Sequence, residues 1–170
     1  MRGKWAQGIE PRAFHWIIKG QIAVCERPGG YGANHRKVRR QEEIIWIREN
    51  GFSCVYSLAK APNNLHNYDE LSVPWRHRPF LGPSDGYAFQ EAMYDEFSTM
   101  LNEGHQILVH REELGDHVIG LLGGYLLWSG LVPSGPKTIS VTEHLVGRRL
   151  GPLGRELIAA VVDAKGLQGE

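Results

Sequence analysis

The stretch of this 170-residue chain with the fewest ways to fold is "QILVHREELGDHVIGLLGGYLLWSGL", residues 106–131. Residues 118–132 are almost wholly apolar, yet the run is shorter than the ~20 residues needed to cross a bilayer, and Gly123, Gly124 and Ser129 interrupt it. It reads as a helix buried inside a protein. "QILV" before it reads as a short buried strand, and a strand feeding a helix through a short turn is the unit from which parallel sheets are built.

The rest of the chain repeats that alternation. "FHWIIKGQIAVCER" suits two short strands with a turn at Gly20, rich as it is in β-branched and aromatic residues. Over residues 35–50, "HRKVRRQEEIIWIREN" puts Val38, Ile44, Ile45 and Ile47 mainly on one side of a helix that Gly51 ends. "FSCVYSLA" is a continuous apolar strand of the kind a doubly covered sheet needs. "PNNLHNYDEL" is a polar loop or short helix, and "SVPWRHRPF" is a strand whose Pro74 and Pro79 suit an edge or strand ends. Ser84 or Asp85 can cap the helix that follows, whose Ala88, Phe89, Ala92, Met93, Phe97, Met100 and Leu101 recur at core spacing. Two more helical stretches, separated by Gly151 and Pro152, complete a single α/β domain with a mainly parallel central sheet.

Charge narrows the partners. Nineteen Lys and Arg balance nineteen Asp and Glu, so no global field draws in nucleic acid or an anionic membrane. The N-terminus has no apolar leader-like segment, and a reducing cytoplasm is the expected compartment. Cys25 and Cys54 lie in apolar strand-like stretches and read as buried thiols, a disulfide between them being the minor alternative. The eight histidines show no metal-type pairing, so no cofactor or metal is expected. "RPGGYGANH" is a turn whose glycines supply positive φ and matches no nucleotide-binding fingerprint. "HRKVRR" gathers five basic residues at the start of the first helix and reads as a solvated face, although positive charge there is mildly unfavourable. Of the five tryptophans, Trp5 falls outside the regular elements.

In a parallel sheet, ligands bind where strands end and helices begin, which puts the candidate site at His110, Arg111, Glu112, Glu113, Leu114, Gly115, Asp116 and His117. A helix N-terminus ordinarily attracts phosphate. Three carboxylates argue against that guest, and Asp116 is placed to accept hydrogen bonds from the first N–H groups of the helix itself.

"ILVH", the eight-residue loop and "IGLLGGYLLWSGL" together resemble the active-site segment of dual-specificity protein phosphatases, in the cysteine-dependent protein tyrosine phosphatase superfamily. The likeness extends through "GFSCVYSLA", "SVPWRHRPF" and the helix before "QILVH", over roughly residues 14–160. The family's loop reads H-C-x-x-G-x-x-R. His110 matches its histidine, but Arg111 falls at its nucleophilic cysteine, Leu114 at its glycine and His117 at its phosphate-binding arginine. A guanidinium is not a nucleophile, and imidazole lacks arginine's planar fork. Asp85 falls nearest to the family's general acid, and a plain helix cap explains it equally well.

The resemblance implies a three-layer phosphatase-like fold over residues 14–166, with an N-terminal extension at 1–13 and a tail at 167–170. It implies a pseudophosphatase with a degenerate phosphate loop, binding or scaffolding an unknown protein or small-molecule ligand, with no nucleic-acid or membrane partner. The alternative is a hydrolase of altered, metal-assisted chemistry that uses the acidic loop 110–117, built from His110, Glu112, Glu113 and His117, with Asp85 as a further candidate.

Overall fold

A computed structural model describes residues 7–30 and 37–167. These residues form two compact units, the first comprising residues 7–30, 37–79 and 104–114, and the second residues 80–103 and 115–167.

The first unit is built on five strands: β1 (His15–Ile18), β2 (Ile22–Glu26), β3 (Cys54–Ser57), β4 (Trp75–His77) and β5 (Ile107–Arg111). Their order is β1-β2-β5-β3-β4. Only the hairpin pair β1 and β2, turned at Gly20 (φ 78°), is antiparallel; β2 with β5, β5 with β3 and β3 with β4 run parallel. The three inner strands are the near-continuous apolar runs of the sequence, and they are buried on both faces, as residues that cannot alternate with water must be. β4 occupies an edge, where Pro74 before it disturbs no inner ladder.

Helices α1 (Lys37–Glu49) and α2 (His66–Glu70) complete this unit. Ile44 and Ile47 of α1 and Tyr68 of α2 belong to one core cluster with Ala23, Cys25, Val55 and Leu108. Trp16, Trp46 and Trp75 are half-buried against that cluster, and Phe14, Trp16, Trp46 and Phe52 meet ring to ring at 5.0–6.3 Å. Residues ahead of β1 are tied in as well: Ile9 N–H donates to Glu42 O, and Arg12 O accepts from Glu26 N–H. Trp5 lies outside the described residues.

The second unit is helical: a 3-10 turn at Pro83–Asp85, then α3 (Tyr87–Asn102), α4 (Asp116–Trp128), α5 (Gly135–Val146) and α6 (Pro152–Lys165). Every residue from 118 to 127 of α4 is buried. Its glycines are contact points: a Cβ on Gly120 would come within 2.5 Å of Gly154 Cα on α6, and one on Gly123 within 2.8 Å of Thr142 Oγ1 on α5. Without side chains at these places, the backbone of α4 meets that of α6 at Gly120 and the Thr142 side chain of α5 at Gly123.

Two expectations are corrected here. Helix α3 buries Gln90, Met93, Tyr94, Phe97 and Met100, while Ala88, Phe89 and Ala92 are exposed and Leu101 only half-buried. The buried face is rotated toward two polar residues because their polar ends are satisfied inside: Tyr94 Oη donates to Leu121 O at 2.6 Å, and Gln90 Nε2 donates to Leu157 O at 3.0 Å. Likewise neither Ser84 nor Asp85 caps α3. Gly86 precedes it without a side-chain cap, and Asp85 closes the 3-10 turn by accepting from Leu81 N–H at 2.7 Å.

Candidate functional site

Strand β5 ends at Arg111 and α4 begins at Asp116, so residues 112–115 are the turn between them. The predicted site residues divide between the two units. His110 to Leu114 close the first, and Gly115, Asp116 and His117 open the second.

His110 is paired in register with Cys25 of β2 and Ser57 of β3, on the inner strand of the sheet. It is 1% exposed, and its Nε2 shares a 2.8 Å hydrogen bond with Tyr68 Oη from α2. Its Nδ1 makes no well-aligned hydrogen bond. Burial drives its pKa down to about 3, against a smaller opposing contribution from the Arg111 backbone, because a charged imidazole there would lose its hydration without gaining a carboxylate. Burial thus favours the neutral form of the His110 ring at physiological pH. Tyr68 was invisible in the sequence: it lies 42 residues from its partner, in a stretch that reads as a polar loop or short helix.

Arg111 pairs in register with Glu26, and alternation turns its side chain to the opposite face of the sheet from His110. Its Nε lies 3.8 Å from Glu112 Oε1, which is buried and accepts no hydrogen bond. Glu113 is exposed, and its charge, with that of Glu43, helps burial push the Glu26 carboxyl pKa upward against the pull of Arg12. Arg76 of β4 lies over the Tyr56 ring at 5.9 Å.

Asp116 corrects a further expectation. It is the first residue of α4 and does not cap that helix; Gly115 precedes it without a side-chain cap. Its carboxylate instead accepts from Gly151 N–H at 3.1 Å and Gly154 N–H at 2.9 Å, so it caps α6, with Arg148 a further 3.6 Å away. The reason is chemical: α6 starts at Pro152 after Gly151, and neither supplies a side-chain acceptor for its free N–H groups. The His117 ring lies beside Gly82, where a Cβ would sit 3.4 Å from its Cδ2.

Basic residues of α1 also depart from expectation. Arg39 pairs with Glu43 at 2.8 Å and Arg40 is buried at 8% exposure, so this is no simple solvated face. His35 and Arg36, like Gly32, lie outside the described residues. Gly29 and Gly30 do take positive φ, at 86° and 81°. Cys25 and Cys54 are buried thiols that are not disulfide-bonded, and burial, then Glu43 and Glu26, push the Cys25 thiol pKa well up. Among the described residues no group of three or more His, Cys, Asp and Glu stands together as a metal site, and no helix is long and apolar enough to cross a membrane.

No protein-family model matches the sequence, and no curated protein sequence does. Solved structures do match. A kinase-associated phosphatase with its catalytic-site cysteine substituted by serine superposes with a TM-score of 0.74 at 17% identity, over 93% of this chain and 98% of that one. Tk-PTP in its active form gives 0.70 at 14% identity, over 89% and 97%. A human tyrosine phosphatase-like serine/threonine/tyrosine-interacting protein gives 0.66 at 9% identity, over 90% and 95%. Strand order, the buried strand-turn-helix and these superpositions agree: the chain has the fold of the dual-specificity phosphatases of the cysteine-dependent protein tyrosine phosphatase superfamily.

Proposed function

We propose that this protein is a pseudophosphatase, a phosphatase-fold chain that binds or scaffolds a partner and does not hydrolyse phosphoesters. The observation that carries the reading is the pair of residues that ends β5. In the resembled family a thiolate follows the last histidine of the strand, and here Arg111 follows His110. Phosphoryl transfer through a cysteine needs a thiolate of lowered pKa. The two thiols of this chain lie within β2 and β3, and that of Cys25 is shifted in the opposite direction.

The neighbouring side chains support the same conclusion. Glu112 and Glu113 repel an incoming phosphomonoester, and Asp116 is committed to the N-terminus of α6. A general acid at Asp85 has no nucleophile to serve. His110, neutral and hydrogen-bonded to Tyr68, is a structural support for the strand end.

The test is to rebuild the missing chemistry in the full chain with Arg111→Cys and His117→Arg. A thiol introduced in place of Arg111, at the end of β5, is expected to alkylate with iodoacetamide at neutral pH faster than an ordinary cysteine of pKa about 8.5, and sulfate is expected to protect it. An introduced thiol that reacts like a free cysteine, with no sulfate protection, would show that the turn is not the remnant of a phosphate loop.

A further inference from the structure

The segment Phe80–Glu103 departs from the balanced charge of the whole chain: it carries five carboxylates and no Lys, Arg or His. It also holds two of the four large apolar side chains that stand exposed among the described residues, Leu81 at 48% and Phe89 at 38%. Scattered apolar residues on a surface need no explanation, but these two belong to one corner of the second unit. The buried Phe80 ring stacks on Phe89 with centroids 6.3 Å apart, and Leu81 is the next residue in the chain. Ala88 and Ala92 are exposed on α3 beside Phe89, and Asp95, also exposed, follows Ala92 at i+3 spacing on the same face.

The exposure of Leu81 is built into the turn that carries it. Its N–H donates to Asp85 Oδ2 at 2.7 Å, Asp85 N–H donates to Gly82 O at 3.0 Å, and Gly86 N–H donates to Pro83 O at 3.0 Å. Gly82 and Gly86 take φ of 120° and 88°, which other residues rarely adopt. A turn closed in this way presents the leucine with little ordering left to pay for on binding. The carboxylates beside it keep their charge. Glu91 Oε2 accepts from Tyr87 Oη at 3.2 Å and from Trp128 Nε1 at 3.1 Å, both neutral donors, while Lys165 stands over the Trp128 ring at 5.2 Å. The Tyr87 hydroxyl registers the local field: burial, then Glu91 through charge and hydrogen bond, then Asp95, push its pKa up to about 12.

We propose that the outer face of α3, with the turn before it, docks a segment of a partner protein that is both apolar and basic. An aromatic or aliphatic side chain of the partner covers Leu81 and Phe89, and Lys or Arg residues near that anchor meet Asp95 and Glu91. Burial of the apolar anchors supplies the affinity. The carboxylates select the sign of the partner's charge, and they repel nucleic acid and anionic lipid. The proposal does not depend on whether the chain hydrolyses phosphoesters, since none of these contact residues belongs to the strand-to-helix turn.

The experiment selects short random peptides, displayed on phage, against the immobilised full chain, and then titrates the labelled consensus peptide by fluorescence anisotropy. The expected consensus places Lys or Arg beside an aromatic or aliphatic anchor, and its affinity falls about tenfold or more in Phe89→Ala and in Leu81→Ser. Asp95→Lys is expected to weaken it several-fold at low ionic strength and much less at high ionic strength. Leu131→Ser, at an exposed leucine between α4 and α5, is expected to leave it unchanged. Should Phe89→Ala lose its fold along with the Phe80 stack, Leu81→Ser and Asp95→Lys decide the matter. No enrichment, a consensus without basic residues, or wild-type affinity in Leu81→Ser and Asp95→Lys overturns the proposal. So does a dimer of the chain that Leu81→Ser dissociates, which would assign this face to a second copy.

Discussion

His110 carries the clearest consequence at the scale of one residue. Its pKa is depressed to about 3 in the native state and returns to about 6.5 when the chain unfolds. Protonation therefore favours the unfolded chain: stability is fully present above pH ~6.5 and is lost as pH falls from there toward 3, by about 5 kcal/mol in all. Urea unfolding between pH 7 and pH 4 should show that decline, and His110→Gln should flatten it; an equal slope in both proteins would mean that the ring is solvated. Nothing in "ILVH" announces this burial, because the Tyr68 hydroxyl that meets the ring comes from a chain segment 42 residues away. Cys25 and Cys54 were legible as buried thiols for the opposite reason: an apolar strand of four or five residues leaves them nowhere else to point.

Elements were legible where their patterns are strong and local. The inner strands and the buried helix α4 follow from continuous apolar runs, and the edge position of β4 from its prolines. Helix faces and caps were less so. The face of α3 is set by Gln90 and Tyr94 reaching carbonyl groups on α6 and α4, a tertiary match that hydrophobic spacing does not encode. Asp116 has the right residue type for a cap and the right position near a helix start, yet it serves α6, whose own first residues lack an acceptor. Asp116→Ala should therefore lower stability by about 1–2 kcal/mol in chemical denaturation, as loss of an N-cap does, with little contribution from the partly exposed ion pair with Arg148. A change within about 0.5 kcal/mol, the usual span for surface substitutions, would remove Asp116 from that role.

At the scale of the molecule, the sequence was enough to reach the phosphatase fold because the strand-turn-helix around residues 106–131 restricts the topology so strongly. It was not enough to reach the contact between Tyr68 of α2 and His110 of β5, which joins residues 42 positions apart. On the proposed reading, this architecture persists without the thiolate and guanidinium chemistry that phosphoryl transfer there would need. The most direct test is to incubate the purified full chain with an aryl phosphate, with and without divalent metal ions, beside Glu112→Ala and buffer alone. The account predicts release of phenol at the buffer rate in every sample; turnover by the wild-type chain well above buffer, and lost in Glu112→Ala, would contradict it.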